Sequence, residues 1–273
     1  MKNKFTIDHD LHIHTYLSSC SKDPEQTPAF ILEYARENGL KTVCITDHFW
    51  DERVECGSAS HIYEKQNFPH IQEILPLPED REVKMLFGCE ADLDKNLTLG
   101  LSRERMSEFD FIIVATTHMH FHSPEPDNSN PEYRAKLWVE RLEAVLNMDL
   151  PFEKIGIAHL ACFLINRSGK EEYRDTLRKI PAEDMERLFK KAAALGVGIE
   201  LNKDDFVYFD YAGEEILRIF KVAKACGCKF YLGSDAHHPE EFGNAKRRFE
   251  KMIELLELTE EDKFIPQASR QKD

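Results

Sequence analysis

The chain has 273 residues, 42% of them hydrophobic, and carries 50 acidic against 36 basic side chains for a formal net charge of −14. That length fits one large α/β domain or two small ones, with enough apolar residues for a core. So acidic a balance argues against a nucleic-acid backbone as the main partner. With no apolar leader and no membrane-length apolar run, a soluble, cytoplasmic protein with no membrane partner is expected.

The first predicted strand is TIDHDLHI. Alternation places His12 and His14 on one face, with Leu11 and Ile13 on the other. TPAFILEYARENG follows as a helix, with Thr27 as N-cap, Pro28 in the first turn and Gly39 as its stop. KTVCITDH reads as the second strand. A less regular helical stretch is predicted over roughly 60–75, broken by Pro69, Pro76 and Pro78, within a long segment from Phe49 to Leu77. The segment's Trp50, Tyr63 and Phe68 suit either a lid or, the favoured reading, a packed surface excursion. VKMLFGCEAD and DFIIVATTH are the third and fourth strands. The helix PEYRAKLWVERLEAVLNM leads to the fifth strand, KIGIAHL. PAEDMERLFKKAAALG is a helix, VGIELN a strand, AGEEILRIFKVAKACG a helix and CKFYLGSDAHH the seventh strand. PEEFGNAKRRFEKMIELLEL closes the chain.

Seven βα-like units without a composition break point to one domain spanning 1–273. Short apolar strands alternating with helices fit a parallel sheet buried on both faces, and a closed α/β barrel is its simplest architecture. Seven scattered cysteines read as reduced thiols, and Cys226 with Cys228 as plain packing.

Metal-ligand residue types recur at the strand ends. The first strand ends in His12 and His14, the second in Asp47 and His48, and the third in Glu90. The fourth ends in His118, His120 and His122, the fifth in His159, and the seventh in Asp235, His237 and His238. Packing alone gives no reason for imidazoles and carboxylates to collect at one end of a barrel, and unpaired charges there would be costly. Divalent cations remove that cost. Imidazole with carboxylate suits zinc, manganese or iron.

The motifs DLHIHT, TDH, GCEAD, TTHMH, AHL and GSDAHHP, in this order, resemble those of the polymerase and histidinol phosphatase (PHP) superfamily of phosphoesterases. The resemblance implies a distorted (β/α)7 barrel holding two or three metals at the C-terminal ends of its strands. It implies His12, His14, Glu90 and Asp235 around a first ion, with Glu90 bridging to a second held by His118 and His159. His48 and His237 belong to a third. The family usually adds a His or an acid six positions after the second His of HxH. Here that position is Cys20, whose thiolate ligates zinc or iron well, while a site without it would be weak or empty. At the fourth strand His118 is favoured over His120. Asp10 and Asp47 are candidates for orienting ligand imidazoles, His122 and His238 for substrate or supporting contacts, and Asp92 is read as a solvated loop acid.

Such a site implies metal-activated hydroxide attack on phosphorus, with Glu90, Asp235 and His237 as catalytic residues. Arg167, and after it Lys203, are the expected phosphate contacts, with His238 beside the substrate. The expected substrate is a small phosphomonoester or nucleotide, L-histidinol phosphate being one candidate. IELNKDDF, however, lacks the Asn-Thr-x-Gly-x-Arg type of segment associated with many histidinol phosphatases. An amidohydrolase-type C–N hydrolase and a catalytically silent metal-binding module are the alternatives. Neither the physiological substrate, the native metal nor the oligomeric state follows from the sequence.

Overall fold

The computed structural model describes residues 3–57, 65–119 and 129–267; His120, His122 and Tyr63 lie outside them. Its strands are β1 (His9–Ile13), β2 (Thr42–Ile45), β3 (His48–Phe49), β4 (Lys84–Asp92), β5 (Phe111–Ala115), β6 (Ile155–Ile157), β7 (Gly198–Asn202) and β8 (Lys229–Gly233). All pair in parallel in the order β1-β2-β4-β5-β6-β7-β8, and β3 resumes beyond β2 to pair with β4. The sheet curls until β1 meets β8, where Asp235 N donates to His12 O (2.7 Å) and His14 N to Ala236 O (3.1 Å). With β2 and β3 as one stave, this is a nearly closed barrel of seven parallel staves, as expected.

The seam between β1 and β8 is held largely by side chains. His9 Nε2 accepts from Leu232 N (3.0 Å) and Asp10 Oδ1 from Ser234 N (2.9 Å). Asp10 therefore secures the barrel wall, with Tyr34 donating to its other oxygen at 3.2 Å.

Two apolar layers position the site. Leu11, Cys44, Leu86, Phe111, Ile113, Ala158, Tyr231 and Phe264 form one cluster. The registers place its strand residues on the same side as Glu90 and Glu200, which is the barrel interior. Phe264, near the end of the described chain, packs on Gly198, where an added Cβ would meet its ring at 2.8 Å. The larger cluster joins the outer strand faces to the helices. One expectation fails here: Leu11 lies in the interior cluster and Ile13 in the outer one. The β1–β2 register slips between Asp10 and Ile13. Such a bulge breaks strict alternation and re-aims the residues that follow it.

The helices form for local reasons. In α1 (Pro28–Asn38), Thr27 accepts from Phe30 N, Pro28 sits in the first turn, and Gly39 ends the helix at φ 69°. Ile31 is fully buried on the barrel, which contributes about 1.5–3 kcal/mol relative to exposure. After the short turn α2 (Phe68–Ile71) come α3 (Pro131–Leu146), α4 (Lys170–Lys179), α5 (Ala182–Leu195), α6 (Phe209–Ala225) and α7 (Ala245–Leu255). Of these, α4 went unpredicted.

Trp50 is buried against Gly100, whose added Cβ would lie 2.4 Å from the indole. Its Nε1 donates to Val54 O (2.8 Å). The described part of the excursion after β3 is thus packed, in line with the favoured reading. All seven cysteines are free. No described helix is long and apolar enough to cross a membrane.

Candidate metal centre

Glu90, near the end of β4, is buried at the centre of the barrel mouth. One carboxylate oxygen, Oε2, has His48 Nδ1 at 2.8 Å, His14 Nε2 at 3.4 Å and His12 Nε2 at 3.6 Å. The other, Oε1, has His159 Nε2 at 2.9 Å and His118 Nε2 at 3.7 Å. Asp235 Oδ1 lies 3.1 Å from His14 Nε2 and 3.4 Å from His12 Nε2. His237 stacks on His14 with ring centroids 4.1 Å apart. Residues from six of the seven staves therefore meet, as does Cys20, which groups with His14, His48 and His237.

The surroundings fix which nitrogen of each imidazole faces inward. His12 Nδ1 is 2.7 Å from Glu200 Oε1, and His118 Nδ1 is 2.9 Å from Asp92 Oδ1. His237 Nδ1 is 2.9 Å from the Asp235 carbonyl. These oxygens only accept, so each Nδ1 carries the proton. His14 Nδ1 meets Ser18 Oγ at 2.8 Å, and that hydroxyl donates to Asp47. His159 Nδ1 meets Thr117 Oγ1 at 2.6 Å, a hydroxyl that donates to the His159 carbonyl. Four imidazoles, those of His12, His14, His118 and His237, thus turn a lone pair from Nε2 into the mouth, and His159 faces Glu90 through its Nε2.

Those lone pairs face each other and the carboxylates. His12 Nε2 and His14 Nε2 are 3.1 Å apart, and the buried Glu90 Oε2 accepts no well-formed hydrogen bond. Such a donor set asks for positive charge at its centre and fits divalent cations. Burial would raise the Glu90 carboxyl, yet His48, His118 and His12 hold it well below its ordinary range. Burial likewise opposes ionisation of Asp235, and His12 and His14 more than reverse it. Burial and the neighbouring His237 keep His14 well below a usual imidazole. At Cys20 burial favours the thiol, but His48 and His237 bring its pKa down to about 6.

Backbone strain accompanies the cluster. His159 and Asp235 hold φ of 32° and 50°, values that non-glycine residues rarely adopt and that collect at functional sites. Glu200 helps to hold one of them, accepting from His159 N at 2.7 Å. Sequence reasoning passed over Glu200, Ser18 and Thr117. The signal for Glu200 was a lone acid inside the apolar strand GIELN, which burial would make costly without partners. Asp92 corrects its expectation as a solvated acid. β4 runs on through Asp92, so it shares a face with Glu90 and is fully buried against His118. Asp47 reaches His14 only through Ser18 and also accepts from Thr15 N (2.7 Å).

The expected substrate contacts separate. Arg167 is exposed, its guanidinium 5.9 Å from the Phe163 ring centre. Lys203 is buried, with Nζ 3.5 Å from Glu241 Oε2, an oxygen that also accepts from His237 N at 2.8 Å. His238 Nδ1 lies 3.3 Å from Asp23 Oδ2. Of the two cations, it is Lys203 that is tied to the cluster.

The family model for the PHP domain matches residues 10–204. The chain belongs to the PHP domain family. The matched span carries the PHP motifs through His159, while β8 and the loop after it add Asp235 and His237. A protein of Caldanaerobacter subterraneus subsp. tengcongensis named a probable phosphatase is 29% identical over 255 residues, covering 91% of this chain and 82% of the relative. Among solved structures, histidinol phosphate phosphatase from Lactococcus lactis subsp. lactis, in complex with zinc, L-histidinol and phosphate, is similar with a TM-score of 0.56. It is 16% identical and covers 94% of this PHP chain and 98% of that one. A second solved chain, from Listeria monocytogenes, gives a TM-score of 0.62 at 12% identity, covering 88% and 99% respectively. These likenesses show a shared fold.

Proposed function

We propose that the chain is a metal-dependent phosphoric ester hydrolase acting on a small phosphomonoester or nucleotide. The observation that carries this reading is the Glu90 carboxylate, flanked on one oxygen by His12, His14 and His48 and on the other by His118 and His159. A carboxylate so flanked suits a bridge between two cations. His12, His14 and Asp235 complete the first position, His118 and His159 the second, and His48 and His237 a third, with Cys20 in reach. Zinc, manganese or iron fit these donors. When bound, such ions lower the pKa of a coordinated water and offset charge on a phosphoryl group.

The chain's own residues then divide the remaining work. Glu90 and Asp235 supply the negative charge that gathers the cations. With His237 committed to the third position, His238, held by Asp23, gives a proton to the leaving oxygen. Lys203 is the favoured grip on a phosphate oxygen, because it is buried beside the His237 loop. Arg167 reaches the substrate only if its exposed side chain swings from Phe163. Named phosphatases among the relatives favour phosphoester over C–N hydrolysis.

The test is phosphate release from a panel of phosphomonoesters including L-histidinol phosphate, bisphosphate nucleotides, amides and oligonucleotides, with each metal supplied. Hydrolysis of a small phosphoester, lost together with bound metal in Glu90→Gln, is the expected result. Faster turnover of amides or oligonucleotides, or a fully active Glu90→Gln, overturns the reading.

A further inference from the structure

At the outer edge of the cluster, His14, Cys20, His48 and His237 each offer a ligand atom within 4.8 Å of the others. His14 has one inward lone pair, and that Nε2 lies 3.1 Å from both His12 Nε2 and Asp235 Oδ1. It therefore belongs with the inner group. Two imidazoles and one thiol remain. Cys20 does not sit there on a loose loop. Ser19 N on one side donates to Gln66 Oε1 (2.8 Å), whose Nε2 donates to Leu17 O (3.1 Å). On the other side Ser21 Oγ donates to the carbonyl of His237 itself (2.6 Å), and Ser21 N to Ser18 O (3.0 Å). The backbone around the thiol is thus tied to the residue it would share a cation with.

We infer that His48, His237 and Cys20 form a thiolate-containing site selective for a thiophilic cation, zinc ahead of manganese or magnesium. This rests on reading the mouth as a metal centre and adds the identity of one ion. Sulfur is the soft donor of the cluster, and soft donors favour zinc over manganese and magnesium, whereas carboxylate and imidazole discriminate less. Binding the cation displaces the thiol proton to solvent, leaving the thiolate as ligand. Three protein donors leave a further coordination position, as in catalytic zinc sites. The chain would then be a mixed-metal protein, with zinc at the rim and a cation of looser choice at the Glu90 bridge.

Cobalt(II) and competition dialysis test this. Cobalt-loaded wild-type protein should show a thiolate-to-cobalt charge-transfer band in the near ultraviolet. Cys20→Ser and Cys20→Asp should lose it while keeping the visible cobalt absorption of the inner positions. In dialysis against mixed zinc and manganese, one zinc per chain should persist in the wild type, and its preference should fall about tenfold or more in Cys20→Asp. Zinc, and not manganese, should protect Cys20 from iodoacetamide, read by peptide mass. Bound cobalt without the band, or an unchanged zinc preference in Cys20→Asp, overturns the inference while leaving the inner centre standing. A wild-type chain that binds no cobalt at all overturns the metal-centre reading and this inference with it.

Discussion

Glu200→Gln changes a residue whose whole influence on the candidate centre runs through its neighbours. Glu200 is fully buried, with Oε1 2.7 Å from His12 Nδ1 and Oε2 2.7 Å from His159 N and 3.1 Å from Asn202 Nδ2. A carboxylate accepts at both oxygens; an amide accepts at one end and donates at the other. If the amide oxygen takes the Oε2 side, two donors stay satisfied and the new NH2 faces His12 Nδ1. His12 must then accept at Nδ1 and carry its proton on Nε2, the atom facing Glu90 and Asp235. The reverse orientation sets the NH2 against two buried donors, and each unpaired buried donor costs about 1–3 kcal/mol. The first orientation wins, and it removes one ligand lone pair. Loss of such a supporting partner lowers metal affinity about 10–100-fold, equivalent to about 1.4–2.7 kcal/mol. Zinc affinity measured against a chromophoric chelator should fall by that factor, and the zinc-induced rise in Tm should shrink in step. A folded Glu200→Gln chain with wild-type zinc affinity would refute the assignment of the His12 tautomer.

Gly233→Ala should damage the same place sterically, because its Cβ would sit 1.9 Å from Glu200 Oε1 and 2.7 Å from His12 Cβ; a wild-type Tm and zinc content would count against the packing described. Arg141 is buried in α3 and donates to the carbonyls of Thr116, Leu93 and Asp94. Because Asp94 O keeps its bond from Leu97 N (3.1 Å), Arg141→Met strands the Thr116 and Leu93 carbonyls, at about 1–3 kcal/mol each, so urea denaturation should show a loss of at least about 2 kcal/mol. At Asp8, partial burial raises the carboxyl, but His9 and Lys263 outweigh it and bring the pKa from 3.8 to about 2. A depressed carboxyl stabilises the fold fully above pH 3.8 and loses that contribution as pH falls towards about 2. Asp8→Asn should flatten the acid limb of the stability profile over this window, and an unchanged limb would remove Asp8 from the account.

What the sequence made legible was whatever repeats. Six of seven predicted strands end in the same residue types, so His12, His48, Glu90, His118, His159 and Asp235 could be read together from their positions alone. What it hid was single and local. The helix α4 has only Tyr173, Thr176 and Leu177 buried among charged residues, too thin an apolar stripe to stand out. The bulge in β1 shows only once β1 has a partner, since nothing within HDLHI marks the slipped register. Asp92 was misread as a loop acid although the predicted strand VKMLFGCEAD already ran through it and its spacing of two from Glu90 put both on one face. Arg167 was favoured over Lys203 from loop position, whereas burial and the tie to the His237 loop depend on how β7 and the segment after β8 pack.

The seam between β1 and β8 has a kinetic consequence. Its bonds from His9 and Asp10 join residues 223 and 224 positions apart, so the chain must organise nearly all its other staves before they can form. Closure of contacts so distant in sequence is entropically slow and falls late in folding. Until then β1 and β8 present bare strand edges, the kind of surface on which unfinished barrels stick to one another. The last step in making the barrel is also the step that brings His12 and His14 to Asp235. Refolding yield at high protein concentration should therefore rise when zinc is supplied from the start, because ion capture and edge closure are one event.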